Sequence, residues 1–220
     1  SYTLNHILFK LDLGNVPVIV SQRGDFHPSY FLKEKYWSIL KWAIEKISFE
    51  SIDLFQVMSR IEFGIMVNSY GKDKVILWQD GIDFEKFKKI PKNIAKKTIG
   101  IKESQKLVLY VGQFTRDKGV ENVISAYKYF KASNKDITLI LIGGHKNDDL
   151  YDLVASCGVV FFHRKTQDEL INYYSAADVH IYPTNNEKVR NFAGISNANM
   201  EALACGTPVY TSQLFHFFGN

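Results

Sequence analysis

The sequence predicts an α/β fold built on mainly parallel β-sheets. Short runs rich in β-branched and aromatic residues recur along the chain, and amphipathic stretches with a helical period separate them. Strands that alternate with helices require crossover connections, which cover both faces of a parallel sheet. The runs that predict strands are Val16–Val20, Leu54–Met58, Val75–Trp78, Leu107–Val111, Ile137–Ile142, Val159–Phe162, Val179–Tyr182 and Val209–Thr211.

The composition is that of an ordinary globular protein, with 46% hydrophobic and 23% charged residues among 220. The 27 Lys and Arg exceed the 23 Asp and Glu by too little, and are too scattered, to form a nucleic-acid-binding surface. Cys157 and Cys205 are far apart and lack other ligands at suitable spacing, so neither a zinc site nor a disulfide framework is expected. With no apolar run of about 18 residues and no signal peptide, we expect a cytoplasmic protein, at most peripherally bound to a membrane.

Lysines crowd around Pro91 between Lys86 and Lys97, which predicts an interdomain linker. The predicted domains are residues 1–91 and 92–220. Two complete Rossmann-like domains of about 150 residues each would need a longer chain. We therefore expect both to be incomplete, with the chain opening in a helix at Tyr2–Leu13 and stopping after its last strand.

The loop after Leu107–Val111 is the first candidate for phosphate chemistry. It runs from Gly112 through Gln113, Arg116 and Lys118 to Gly119, and an amphipathic helix follows. Lys118 places a cation beside a helix N-terminus, whose free N–H groups already favour an anion such as a diphosphate. An ordinary turn with solvated charges is an equal alternative.

The loop after Ile137–Ile142 contains Gly143, Gly144 and His145. Without side chains at the two glycines, a ligand or a neighbouring loop can approach the backbone closely. A plain turn explains the pattern equally well.

The last predicted helix opens between Gly194 and Asn197, with Ser196 or Asn197 as its cap, and closes at Gly206. Its small residues recur on one face that can lie close to the sheet: Ala198, Ala202 and Cys205. Glu201 falls outside that face. Its carboxylate could accept the two hydroxyls of a ribose, although a lone helical Glu is more often solvated.

These motifs together resemble the retaining family-4, or group 1, glycosyltransferases with the GT-B fold, nearly from end to end. The shared pattern is a glycine turn with Lys-Gly, a Gly-Gly pair, Glu-Leu-x-x-x-Tyr-x-x-Ala-Asp, and a final Glu-Ala-x-Ala-x-Gly-x-Pro-Val. The matching residues are Gly112 with Lys118-Gly119, Gly143-Gly144, Glu169-Leu170 with Tyr174 and Ala177-Asp178, and the run from Glu201 to Val209. Earlier matches are Pro17–Val20 with Ser21 to Gly24, Ser59 to Glu62, and Asp80 to Asp83.

The resemblance implies that the chain binds a UDP- or GDP-linked sugar, with Lys118 neutralising the diphosphate and Glu201 holding the ribose. The backbone from Gly194 through Ile195 to Ser196 would face the sugar or phosphate. The main chain at His163 and Arg164 would meet the base. The remaining residues implied in donor binding are Gly112, Gln113 and Gly144, and the domain cleft would lie between residues 23–27 and these loops.

The sequence departs from the family pattern at three places. Gln113 stands where the family often has Arg, so Arg116 is expected to supply the second cation. Ala193 stands at the family's first Glu, eight residues before Glu201, and Glu187 or Asn191 could take its place, or the function is lost. The acceptor-domain histidine aligns near Arg23, which we assign a catalytic role, with His27 four residues further on.

The resemblance further implies sugar transfer with retention of configuration to a glycan or lipid-linked acceptor, in polysaccharide biosynthesis. No Asp-x-Asp occurs, so catalysis is expected to need no metal ion and no other cofactor. Two alternatives remain: a non-catalytic module that binds a sugar nucleotide or a protein partner, and another GT-B enzyme such as an epimerase or phosphorylase.

Residues 30–49 predict an amphipathic helix that faces the core. Trp37 and Trp42 flank its polar stripe, and lysines lie near enough to reach lipid phosphates. A peripheral membrane contact is therefore the alternative interpretation of this segment.

Overall fold

The computed structural model describes residues 16–21, 52–185 and 195–212. These residues form two compact units, divided between Asp80 and Gly81. All eight predicted strands are present with small differences at their ends, and every strand pair is parallel, which confirms the α/β class. The predicted helices at Tyr2–Leu13 and residues 30–49 lie outside the described residues, as do Arg23 and Gly194.

The first unit contains a three-stranded sheet in the order β1 (Ile19–Ser21), β2 (Leu54–Val57) and β3 (Val75–Leu77). Helix α1 (Arg60–Tyr70) connects β2 to β3, and it begins where Ser59 Oγ accepts a hydrogen bond from Glu62 N at 3.1 Å. Alternate residues of β2 and one face of the helix are buried together. The buried core residues are Ile52, Phe55, Val57, Met66 and Val75.

The second unit contains a five-stranded sheet in the order β6-β5-β4-β7-β8. Its strands are β4 (Lys106–Gly112), β5 (Ile137–Gly143), β6 (Val160–Phe162), β7 (Val179–Tyr182) and β8 (Val209–Thr211). Its helices are α2 (Lys92–Thr98), α3 (Val120–Ser133), α4 (Tyr151–Ser156), α5 (Gln167–Ala176) and α6 (Asn197–Ala204).

Helices cover both faces of this sheet. Successive side chains of a strand point to opposite faces, so Leu107, Leu109 and Val111 enter one core and Tyr110 enters the other. Helices α2, α5 and α6 pack on the first face, and α3 and α4 pack on the second. Burial on both faces explains why these strands are almost wholly apolar in the sequence.

The segment predicted as a linker between Lys86 and Lys97 is partly helical, because α2 begins at Lys92. Ala95 and Phe87 are buried in the core of the second unit. The helix was not predicted because its lysines suggested exposed positions. Lys96 is instead buried, and its ammonium donates to the carbonyls of Glu103 (2.9 Å) and Gln105 (2.5 Å). The predicted domain limit after residue 91 stays a prediction.

Candidate functional site

The strand order of the second unit changes direction between β4 and β7, which are neighbours at the centre of the sheet. From β4 the chain crosses one face through α3, and from β7 it crosses the other face through α6. In open α/β sheets, ligands bind outside the carboxyl ends of the strands at such a switch point. The loops that follow β4 and β7 are therefore the candidate site.

The loop after β4 contains a single turn of 3₁₀ helix, Arg116–Lys118, which leads directly into α3. The Lys118 side chain is only 20% exposed, and its ammonium lies 4.0 Å from the Asp117 carboxylate. Arg116 is much freer: its side chain is 74% exposed, and its Nε lies 3.8 Å from Asp149. Of the two cations expected at a diphosphate, Lys118 is thus the one that the fold holds in place.

The loop after β7 is hydrogen-bonded to the loop after β4. The Asp117 carbonyl accepts from both Thr184 Oγ1 (2.8 Å) and Asn185 N (2.9 Å). Gly119 has a φ of +69°, and a Cβ there would collide with the carbonyl oxygen of Pro183. The Lys118-Gly119 motif therefore sets the distance between the two loops.

The Gly143-Gly144 pair admits a neighbouring loop rather than leaving open space. A Cβ at Gly143 would lie 2.7 Å from the carbonyl oxygen of Gly112, and one at Gly144 would overlap the Phe114 ring. Asp148 holds the same two loops together, because its Oδ2 accepts from Phe114 N (2.7 Å) and from His145 N (3.0 Å). The close approach of a neighbouring loop is therefore observed at both glycines, and donor binding at Gly144 stays a prediction.

Helix α6 begins within the predicted limits, and of the two predicted cap residues the structure selects Ser196, whose Oγ accepts from Asn199 N at 3.3 Å. The small-residue face is also confirmed, since Ala202 and Cys205 are buried against the sheet and Ala198 packs beside them. The half-buried Ile195 precedes the cap, at the start of this described stretch.

Glu201 is buried rather than solvated, with only 8% of its surface exposed. Its Oε2 accepts a hydrogen bond of 2.8 Å from the hydroxyl of Tyr174 on α5. Burial raises the pKa of Glu201, and hydrogen bonds from Tyr174 and Gln167 and the charge of Lys86 offset part of that rise. Tyr174 and Gln167 thus hold the carboxylate in a fixed orientation.

His163 and Arg164 follow β6 at the same edge of the sheet and are exposed. The His163 ring stacks on Tyr151, with ring centres 5.6 Å apart and planes within 10°. Phe161 meets both rings edge-on. This aromatic cluster was missed in the sequence, where only the run of aromatic residues at the end of the strand hinted at it.

The structure places the predicted residues of the second unit around one edge of its sheet. Gly112 ends β4, and the next carbonyl, that of Gln113, accepts a 2.6 Å hydrogen bond from Tyr110. Lys118 and Glu201 belong to segments on opposite faces that both begin at this edge. That the two side chains bind the same ligand stays a prediction. Glu187 and Asn191, the candidates to replace the family's first Glu, lie outside the described residues.

Neither a metal-binding cluster nor a membrane-spanning helix is found among the residues that the structure describes. Within residues 16–21, 52–185 and 195–212, no group of three His, Cys, Asp or Glu side chains is placed to hold a metal ion. No helix in that same part of the chain combines the length and the apolar character needed to cross a membrane.

Comparison with known proteins identifies relatives that share this fold. The capsular polysaccharide biosynthesis glycosyltransferase CapM of Staphylococcus aureus is 24% identical over 185 residues, which cover 79% of this chain and 47% of CapM. The sucrose-phosphate synthase structure from Thermosynechococcus elongatus matches with a TM-score of 0.69 and 22% identity, over 95% of this chain and 54% of that one. The HepE structure from Anabaena, in complex with UDP and glucose, matches with a TM-score of 0.68 and 15% identity, over 95% and 56% of the two chains.

The chain spans about half the length of the relatives it matches. Its α/β fold with parallel sheets matches that of GT-B glycosyltransferases, of which it covers a part. The family model for glycosyl transferases group 1 matches residues 91–218, which is more than half of the chain, and the chain therefore belongs to that family.

Proposed function

We propose that this chain carries the donor-binding part of a glycosyltransferase that transfers a hexose from a nucleotide sugar. The observation that supports it most is the switch point between β4 and β7. A partly buried cation, Lys118, and a buried carboxylate, Glu201, are delivered there by segments that begin at one sheet edge. Such an edge suits a ligand with an anionic centre and a polyhydroxyl arm.

The diphosphate of the donor would lie against Lys118 and the N-termini of α3 and α6. Free backbone N–H groups and the helix dipole favour negative charge there. Exposed Arg116 would supply the second cation in place of the arginine that Gln113 replaces. A complex of a relative with UDP and glucose agrees with a donor of this kind.

The ribose would contact the carboxylate of Glu201, whose Oε2 also accepts from Tyr174. The base would meet the main chain at His163 and Arg164, beside the rings of Tyr151 and Phe161. Backbone groups from Gly194 to Ser196 would face the sugar. This arrangement extends the donor across the switch point from β6 to β7.

Catalysis in the whole enzyme would be mainly electrostatic. As the bond between the sugar and the diphosphate loosens, negative charge builds on the departing phosphate, and fixed cations and helix N-termini stabilise it. We propose a metal-independent transfer with retention of configuration, and a glycan or lipid-linked acceptor. The names of two relatives, CapM and a lipopolysaccharide 1,2-N-acetylglucosaminetransferase from Salmonella typhimurium, support this acceptor class.

Isothermal titration of UDP, GDP and ADP against the 220-residue chain tests the donor site. We expect at least one nucleotide to bind, and Lys118→Ala and Glu201→Gln each to weaken binding by about 1–3 kcal/mol, as loss of a charged hydrogen-bond partner should. Lys128→Ala is the matched control, because Lys128 is an exposed lysine on α3 outside the site. Absence of binding by all three nucleotides would contradict the proposal.

The ribose contact has its own test with 2′-deoxy-UDP or the corresponding deoxynucleotide. Wild type should prefer the ribonucleotide, and Glu201→Gln should lose most of that preference, because the amide offers a weaker acceptor than a carboxylate. An equal preference for the ribonucleotide in both proteins would show that Glu201 does not contact the ribose. Nucleotide binding by a full-length version that transfers sugar to no acceptor would favour the non-catalytic module.

A further inference from the structure

Four buried polar atoms lie beside α6 without a protein hydrogen-bond partner among the described residues. They are the two ring nitrogens of His180 and the amide oxygen and nitrogen of Asn199. Both side chains are fully buried. Because a buried polar group without a partner costs free energy, these atoms need an explanation.

The two residues connect the central strand of the site to the first turn of its helix. His180 lies in β7, paired with Leu109 of β4. Asn199 lies between the cap residue Ser196 and Glu201 on α6. Helix α6 contacts β7, and the Asn199 side chain raises the pKa of His180 slightly, although neither side chain has a hydrogen-bond partner among the described residues.

The chemistry of the pair is complementary. Burial lowers the pKa of His180 to about 4, so that the imidazole is neutral at neutral pH. A neutral imidazole offers one N–H donor and one acceptor, and the Asn199 amide offers both as well. A small change in the orientation of α6 would therefore satisfy atoms on both sides.

Much of the core around the pair is apolar. Leu109, Ala202 and Cys205 line the same face of the sheet, and an apolar pair would fill the space without any desolvation cost. A hydrogen bond differs from an apolar contact in being directional, so it fixes the helix at one orientation. Polar atoms at this place lower the stability of the fold but define the position of the helix.

Tyr174 connects the pair to Glu201. The Tyr174 ring meets His180 edge-on, with centres 5.8 Å apart, and its hydroxyl donates to Glu201. His180, Tyr174 and the first turn of α6 thus form one buried assembly behind Ser196 and Glu201. A shift at His180 or Asn199 would move both of these residues.

We propose that His180 and Asn199 are positioning residues for the donor, whose complementary polar groups set the orientation of the first turn of α6 against β7. This role rests on the proposed nucleotide-binding function. Neither side chain touches the donor, because both are enclosed in the core. They act through the positions of Ser196 and Glu201.

The test is the double variant His180→Phe/Asn199→Leu in the 220-residue chain, with thermal unfolding and nucleotide titration measured on the same samples. The probe is whichever of UDP, GDP and ADP binds wild type. We expect an unchanged or higher Tm, because the unpartnered polar atoms are gone. We expect affinity to fall about tenfold, since small misplacements of positioned groups are costly.

Two further variants separate positioning from general stability. His180→Gln keeps a donor and an acceptor at the ring position, and it should retain most of the wild-type affinity. Leu139→Val removes buried volume from the opposite face of the sheet, where it should lower Tm without changing affinity.

The outcomes are distinct. Wild-type affinity in the double variant would overturn the positioning role and leave the proposed function standing. A fall in affinity accompanied by a fall in Tm, with His180→Gln binding no more tightly than the double variant, would also overturn it, since that pattern describes a structural role only. If none of the three nucleotides binds wild type, the proposed function itself fails, and the positioning role falls with it.

Discussion

The hydroxyl of Tyr174 donates a 2.8 Å hydrogen bond to Oε2 of Glu201, across 27 residues of sequence. Tyr174 comes from the Glu-Leu-x-x-x-Tyr motif on α5 and Glu201 from the Glu-Ala motif on α6. Two motifs that look independent in the sequence therefore meet at one buried carboxylate. The tyrosine has a structural reason for its position, namely to hold the acid.

Tyr174→Phe should weaken nucleotide binding several-fold and lower the stability of the second unit by about 1–2 kcal/mol, because it leaves a buried carboxylate oxygen without its donor. Isothermal titration and thermal unfolding measure the two effects. Tyr127→Phe is the matched control: the same atom is removed from a half-buried tyrosine that packs on the other face of the sheet. Unchanged affinity in Tyr174→Phe would show that nucleotide binding does not depend on the hydrogen bond between Tyr174 and Glu201.

Much of the second unit could be predicted from the sequence because its signals are local. Runs of β-branched residues predicted the strands, spacing alone predicted the small face of α6, and Ser196 was one of two predicted caps. The burial of Glu201 could not be predicted, because it depends on a helix supplied from elsewhere in the chain. Helix α2 was missed for a related reason: Lys96 is buried through contacts with carbonyls that a hydrophobic pattern does not register.

Gly119→Ala should disrupt the donor site. The residue has a φ of +69°, which costs an L-residue about 1 kcal/mol, and its new Cβ would also collide with Pro183. Gly158 makes a matched control, because its φ is +75° and nothing lies within 4 Å of a Cβ there. Both variants should be destabilised by the backbone strain of a positive φ. Only Gly119→Ala should also lose nucleotide affinity, measured by titration.

The control also defines what would contradict this prediction. If Gly119→Ala and Gly158→Ala lost the same stability and neither lost affinity, the close approach of Pro183 would have no bearing on the site. The difference between the two variants isolates the packing of the loops after β4 and β7.

Glu62 should make the first unit less stable as the pH rises. Burial raises the pKa of Glu62 to about 7, against a weaker opposing effect of the Met58 N–H. A raised pKa means that the folded unit holds a proton which the unfolded chain has released above pH 4.5. Stability is then full below the unfolded value and falls as the pH rises toward 7, by on the order of 2 kcal/mol.

Hydrogen exchange at the amides of β2, followed from pH 5 to pH 8 and corrected for intrinsic rates, measures this loss. Glu62→Gln should abolish most of the pH dependence, because the amide cannot release a proton. Asp73→Asn changes an exposed carboxylate of the same unit and should leave the dependence intact. A wild-type profile that stays flat across this range would contradict the raised pKa.

Asp178 should give the second unit the opposite pH dependence. Burial alone would raise its pKa, but the hydrogen bond from Leu107 N (2.8 Å) and the ammonium of Lys92 (3.1 Å) lower it overall. A lowered pKa contributes stability above the unfolded value, and that stability is lost as the pH falls through the folded value. Asp178→Asn should therefore cost about 1–2 kcal/mol at pH 7 and much less near pH 3, measured by urea unfolding. An equal cost at both pH values would show that Asp178 acts through its shape alone, with Lys92 and the buried Lys96 contributing nothing through charge.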